Sequence, residues 1–130
     1  MKPLVIVTLA LLIPVTSAFA HHRFGDEFDV KAPVTLKGTV TKVEWGNPHV
    51  MIYADVKDKD GHTEKWGFEA AGPALMEIKG LKQEMFRAGD EISVHGYKAK
   101  SEDHRAGART ITLATGKSVN VAPNDGGPKS

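Results

Sequence analysis

A chain of 130 residues, 41% hydrophobic and 25% charged, has the composition of one globular domain rather than of a disordered segment. Its 17 basic and 16 acidic residues give a formal charge of +1, without the positive excess that a phosphate backbone or an anionic lipid surface would call for. The lack of cysteine excludes disulfides and thiolate chemistry, leaving His, Asp and Glu as metal ligands.

The chain starts with Met1-Lys2 and an almost continuously apolar run, Leu4 to Val15, with Pro14 near its end. Ala18-Phe19-Ala20 fits the small-x-small pattern of a signal-peptidase site. The run is shorter than the roughly 20 residues a bilayer span needs, and no basic stop-transfer cluster follows it. Residues 1–20 are therefore expected to be a cleavable signal peptide. The mature protein is expected in the periplasm or secreted, with no stable membrane anchor. Cleavage removes Lys2, leaving 16 basic against 16 acidic residues. Compartment and charge together disfavour nucleic acid as a partner.

Residues 21–33 read as an extended lead-in containing Phe24, Phe28 and Pro33. Strand signals begin at Val34, where Val34, Leu36, Gly38 and Val40 share one face and Thr35, Lys37, Thr39 and Thr41 the other. The apolar parity then shifts to Val43 and Trp45, which predicts a bulge or bend near Thr41-Lys42. Gly46-Asn47-Pro48 is a turn. Val50, Ile52, Ala54 and Val56 alternate next, leaving His49, Met51, Tyr53 and Asp55 on the opposite face. Asp58-Lys59-Asp60-Gly61 signals a hairpin, and the return strand puts Trp66 and Phe68 on one side. After Ala71-Gly72-Pro73, the segment Ala74 to Met85 holds one or two short helical turns. Two strands follow, Glu91–Tyr97 with Ile92 and Val94 inward, and a last one centred on Ile111 and Leu113. Residues 122–130 read as a disordered tail.

The expected domain, residues 34–121, is all-β with one short helical segment between the third and fourth strands. That order fits a five-stranded Greek-key barrel of the oligonucleotide/oligosaccharide-binding (OB) type. A β-sandwich is the alternative, but strand signals for seven strands are lacking.

The series His21-His22-x-Phe24, Leu36-x-Gly38-x-Val40, Trp45-x-Asn47-Pro48-His49, Trp66-x-Phe68-Glu69 and Gly89-Asp90 resembles the small exported bacterial proteins of domain-of-unknown-function family 6152. The similarity runs from His21 to about Val119, and the Trp-x-Asn-Pro-His and Trp-x-Phe-Glu pieces are its specific parts. This chain departs from the pattern at Arg23, where serine is expected, at Met51, where an aromatic is common, and at Arg87-Ala88, where a proline usually precedes the glycine. The resemblance implies export and a small β-barrel, and no activity.

Cleavage after Ala20 would place His21 at the amino terminus, where the α-amino group and the imidazole chelate one ion together. A further histidine would complete a nitrogen-rich site suited to Cu(II). His49, on a turn-strand junction after Pro48, is the best partner; His22 is another, and Glu69 or Asp55 are candidate oxygen donors. A mature start at Ala20 would instead put His22 third, another Cu(II)-chelating arrangement. In the bland alternative, the two histidines are a polar chain end and His49 caps a turn. His62, His95 and His104 read as surface residues, and Asp58-x-Asp60-Gly61 as a turn without the calcium-loop ligands.

The other expectation is a non-metal site for a protein or saccharide on the aromatic face, formed by Trp45, Asn47, Tyr53, Trp66 and Glu69, with Phe68 nearby. Trp66 and Phe68 alternate in register and read better as core. No nucleophile elbow, zinc-protease, phosphate-loop or dinucleotide motif is present, and nothing brings Glu44 and Glu69 together, so catalysis is not expected. The expected partner is a small ligand, a metal ion or a periplasmic protein.

Overall fold

The computed structural model describes residues 23–123. The expected signal peptide, His21, His22 and residues 124–130 lie outside the described residues. Within them run α1 (Phe24–Glu27), β1 (Phe28–Glu44), β2 (Met51–Lys57), β3 (Thr63–Glu69), α2 (Pro73–Ile78), a 3-10 turn (Gln83–Met85), β4 (Glu91–Ala99), β5 (Arg105–Thr112) and β6 (Ser118–Asn120).

The strands form one sheet in the order β3-β2-β1-β4-β5-β6, and a parallel pairing of β3 with β5 closes β1 to β5 into a ring. All the other pairings are antiparallel. The helical segment α2 sits between β3 and β4, as expected for the OB-type order. Long β1 serves both sides of the ring, pairing with β4 through Val34–Thr39 and with β2 through Gly38–Glu44. Its register slips between Val40 and Lys42, where the shift in apolar parity predicts a bulge. The extra residue re-aims the strand so that Val40 and Val43 both turn towards the interior.

The core fills the ring. Val40, Ile52, Ala54, Val56, Trp66, Phe68, Ile92, Val94, Ala106, Ala108 and Ile111 are buried inside, with Met76, Leu81 and Phe86 of the helical link closing one end. The period-two alternation of β2, β3 and β4 reappears in their burial. Without disulfides, this burial carries the stability, at about 1.5–3 kcal/mol for each large apolar side chain.

One expectation is corrected. The lead-in is not simply extended, because Phe24–Glu27 forms a helical turn and β1 begins at Phe28, six residues before Val34. Phe24 and Phe28 stack on one another at 4.7 Å and lie on the outside of β5. Gly107 permits this: a side chain there would collide with the Phe24 ring and touch that of Phe28. Gly96 on β4 is equally confined, since its missing Cβ would strike the carbonyl of Gly107. The covered strand is consequently buried on both faces from Ala106 to Arg109, with the Arg109 guanidinium 3.6 Å from the Phe24 ring centre. The expected five strands form the ring, and a sixth, short strand is added to it at β5. Gly116, at φ +88°, turns the chain after Leu113 so that Ser118–Asn120 returns along β5.

Candidate functional site

The outward faces of β1, β2, β3 and β5 line up in cross-strand rows. One row is Glu44–Met51–Glu69, and the next is Lys42–Tyr53–Gly67–Arg105. Gly67 is the gap in the second row, and over that gap a groove of about 730 Å³ opens. Met51, Tyr53 and Gly67 form its floor, Lys42 on β1 flanks one side, and Lys65 on β3 with the β4–β5 loop residues Glu102, Asp103 and His104 flanks the other. Pro48 and His49 close one end. A groove of this size matches a small-molecule site, and it lies on the strand 2–3 face between the β1–β2 and β4–β5 loops that OB-type barrels use for ligands.

His49 is held from both its backbone and its ring. The next residue, Val50, donates to Ala71 O at 3.1 Å and accepts from Ala70 N at 2.9 Å, and Ala71 N is tied to Val121 O at 2.8 Å. The Pro48 carbonyl runs so close to Gly72 that a Cβ there would lie 2.7 Å from it. The Asn47–Pro48 peptide is cis. The His49 ring meets Glu69, Nδ1 to Oε1 at 3.0 Å, with the two side chains 34% and 13% exposed. The other Glu69 oxygen takes a hydrogen bond from Arg105 Nη2 at 3.4 Å. Arg105 further contacts Glu102 at 2.9 Å and Glu27 at 3.8 Å, and stands 5.6 Å from the Phe28 ring. Partial burial pulls its pKa down, but the carboxylates of Glu69, Glu102 and Glu27 outweigh that and raise it above the ordinary guanidinium value.

This chain of contacts has a chemical consequence. With Nδ1 donating to an acceptor-only carboxylate, the neutral ring carries its lone pair on Nε2. A carboxylate behind an imidazole is the usual arrangement behind a metal-bound histidine.

A second, smaller hollow adjoins the groove and shares His49 and Glu69 with it. It is lined by Arg23, Phe24, Glu27, Phe28 and Pro123 as well. Phe24 and Phe28, fixed on β5, thus set Arg23 beside His49. Lys100 strengthens that anchor, donating from its backbone to Glu27 O at 2.9 Å and from Nζ to Gly25 O at 2.6 Å.

The structure brings together only part of the set expected from sequence. His49, Tyr53 and Glu69 line the groove, and Trp66 borders it while itself only 4% exposed. Trp66 donates from Nε1 to Glu64 at 2.8 Å and stacks on Phe68, which places both aromatics in the core. Trp45 is elsewhere, half-buried against Phe86 and facing a hollow with Glu77, Lys82, Gln83 and Glu84. Asn47 is exposed on its turn next to Gly72 and does not line the groove. Asp55 is six residues along from His49, about 20 Å at strand rise, and is engaged by Lys65 at 3.5 Å. That distance removes it as an oxygen donor beside His49. Glu44 and Glu69 stand on either side of Met51, two strand spacings or about 10 Å apart, and Glu44 is taken up by Lys42 at 3.1 Å.

Arg105, Glu102 and Asp103 belong to the groove and were not singled out by sequence, while Met51 stood out only as a departure from the family pattern and His104 only as a surface residue. Among the described residues, the group of three His or carboxylate side chains that lies together is Asp58, Asp60 and His62, in the β2–β3 hairpin. There Asp58 Oδ1 already accepts from Asp60 N at 2.8 Å and His62 N at 2.9 Å, the bonding of a structural turn.

Residues 10–109 match the pattern of a family described as Family of unknown function (DUF6152). The chain belongs to that family. The match starts earlier and ends earlier than the His21 to Val119 span of the motif resemblance. No curated protein matches the chain. Among solved structures it is similar to a ZRD-deleted mutant of TiaS in complex with agmatine, at 18% identity and a TM-score of 0.46. The likeness covers 75% of this chain but spans only 23% of that one. So slight a likeness says nothing of what this family member binds.

Proposed function

We propose that this DUF6152 member is an exported metal-binding protein that holds a transition-metal ion such as Cu(II) at His49, with His21, His22 or both completing the site. One observation carries the reading: Arg23 and His49 line the same small hollow, and His49 Nδ1 is committed to Glu69. His22 and His21 lie one and two residues upstream of Arg23, and two residues of chain reach at most about 7 Å. A free α-amino group and one or two imidazoles on that tether, added to His49 Nε2, make the nitrogen-rich donor set that Cu(II) favours. Export supplies the free amine, through cleavage after Ala20.

The test uses the exported protein with its N-terminus confirmed by intact mass, titrated with Cu(II) in a calorimeter. Tight one-to-one binding that is lost in both His21→Ala and His49→Ala supports the reading. Weak binding untouched by His49→Ala sinks it, because that is the behaviour of a terminal chelate alone.

The groove favours a second reading, a small organic ligand or a peptide lying across Met51, Tyr53 and Gly67. Of the aromatic face, Tyr53 remains as the platform, since Trp66 and Phe68 face inward. Gly67→Leu would fill the floor; if ligand capture from a saccharide or peptide library is the same with and without it, this second reading fails.

A further inference from the structure

We infer that Met51 supplies a thioether sulfur beside His49, so that the same place takes Cu(I) through an imidazole and a sulfur. This rests on the reading of His49 as a ligand.

Met51 is unusual for its place. Val50 and Ile52 on either side point inward and are fully buried, whereas Met51 stands on the outward face with His49 and Tyr53 and is only half-buried. It takes no part in the core. Its cross-strand partner on β3 is Glu69, the residue that holds the His49 ring, so His49, Met51 and Glu69 meet in one corner of the groove. Directly opposite strand residues have Cβ atoms about 5 Å apart, and residues two apart on one strand share a face. The Met51 methyl group lies 3.6 Å from where a Gly67 side chain would begin. The Tyr53 ring comes to 3.4 Å of the same point, so the Met51 thioether and Tyr53 lie side by side on the groove floor over Gly67.

The chemistry separates the oxidation states. Thioethers are soft donors that select Cu(I), while amine, imidazole and carboxylate groups serve Cu(II). His49 Nε2 is common to both modes. Met51 adds the soft donor, and the amino-terminal nitrogens add the harder ones. On the opposite flank, Glu44 is engaged by Lys42 at 3.1 Å and by the Tyr53 hydroxyl at 3.4 Å, so this carboxylate is already occupied on its own side of Met51.

The absence of cysteine makes the test direct, since any sulfur bound to copper in this protein is a methionine. The exported protein, its Met51→Leu and His49→Ala variants and a Met85→Leu control are compared under anaerobic conditions. Cu(I) affinity is read by competition with bicinchoninate, and copper X-ray absorption reads the donor atoms. Met51→Leu conserves volume at a half-buried site, and a thermal melt verifies its fold.

The inference predicts at least a tenfold loss of Cu(I) affinity in Met51→Leu, larger than any loss for Cu(II), and disappearance of the sulfur shell. Met85→Leu changes none of these. A Met51→Leu protein that keeps its Cu(I) affinity or its sulfur shell overturns the inference, and leaves the metal reading standing if His49→Ala still abolishes Cu(II) binding. If His49→Ala alters neither ion, both fall together.

Discussion

His49 Nδ1 lies 3.0 Å from Glu69 Oε1, and the same carboxylate is held from behind by Arg105 at 3.4 Å. These residues come from the β1–β2 turn, the end of β3 and the start of β5, and they meet because β3 and β5 close the ring. The ring orientation that results leaves Nε2 as the nitrogen for a ligand.

Glu69→Gln keeps the size of the side chain but turns an acceptor-only group into an amide. The ring then loses its charged anchor, and metal affinity should fall about 10–100-fold, as for other carboxylates behind metal-bound histidines. Calorimetric Cu(II) titration measures this, with the thermal midpoint as control for folding. An unchanged affinity would show that Glu69 does not orient the ligand.

Arg105 gives a pH prediction. Its pKa is raised, so the stability it contributes is fully present below the ordinary guanidinium value and is lost only as pH rises through the still higher folded value. Arg105→Gln leaves the largely buried Glu69 carboxylate without its cation, at a cost of about 1–3 kcal/mol. The difference in thermal midpoint from the native protein should be flat between pH 7 and 10. A difference that shrinks across this range would mean that the guanidinium charge is not what stabilises the cluster.

The lead-in is anchored by Phe24 and Phe28 on Gly107, and Phe24 is almost fully buried. Phe24→Ala should cost about 3–5 kcal/mol in denaturant unfolding, the usual range for a buried phenylalanine. It should also weaken metal binding more than any change at the Asp58–His62 hairpin, because it frees the segment that sets Arg23 beside His49. Gly107→Val attacks the same contact from below and should release the lead-in as well. Protease cutting near Phe28 would report that release, and resistance equal to that of the native protein would argue against the anchoring role.

Strand interiors were legible in the sequence because burial there follows a period of two: Val50, Ile52, Ala54, Val56, Trp66 and Phe68 all face inward as their alternation predicts. The bulge after Val40 was legible as a shift in that parity. The lead-in was not, since its helical turn rests on a contact with Gly107, about eighty residues away, and a glycine carries no mark of what lies over it. The candidate site was half legible. His49 and Glu69 stood out by residue type, but Arg105 joins them only through the β3–β5 pairing, which no local spacing encodes. Trp45 was expected on the aromatic face with Tyr53 and Trp66, and Asn47 beside it, but neither lines the groove.

The most direct measurement is paramagnetic broadening of backbone amide signals by sub-stoichiometric Cu(II) in the exported, isotope-labelled protein. The account predicts that the signals of His49, Val50, Glu69 and the Arg23–Phe24 lead-in disappear first, while those of Asp60 and His62 persist. Broadening confined to the hairpin, or to the chain terminus with His49 and Glu69 untouched, would contradict it.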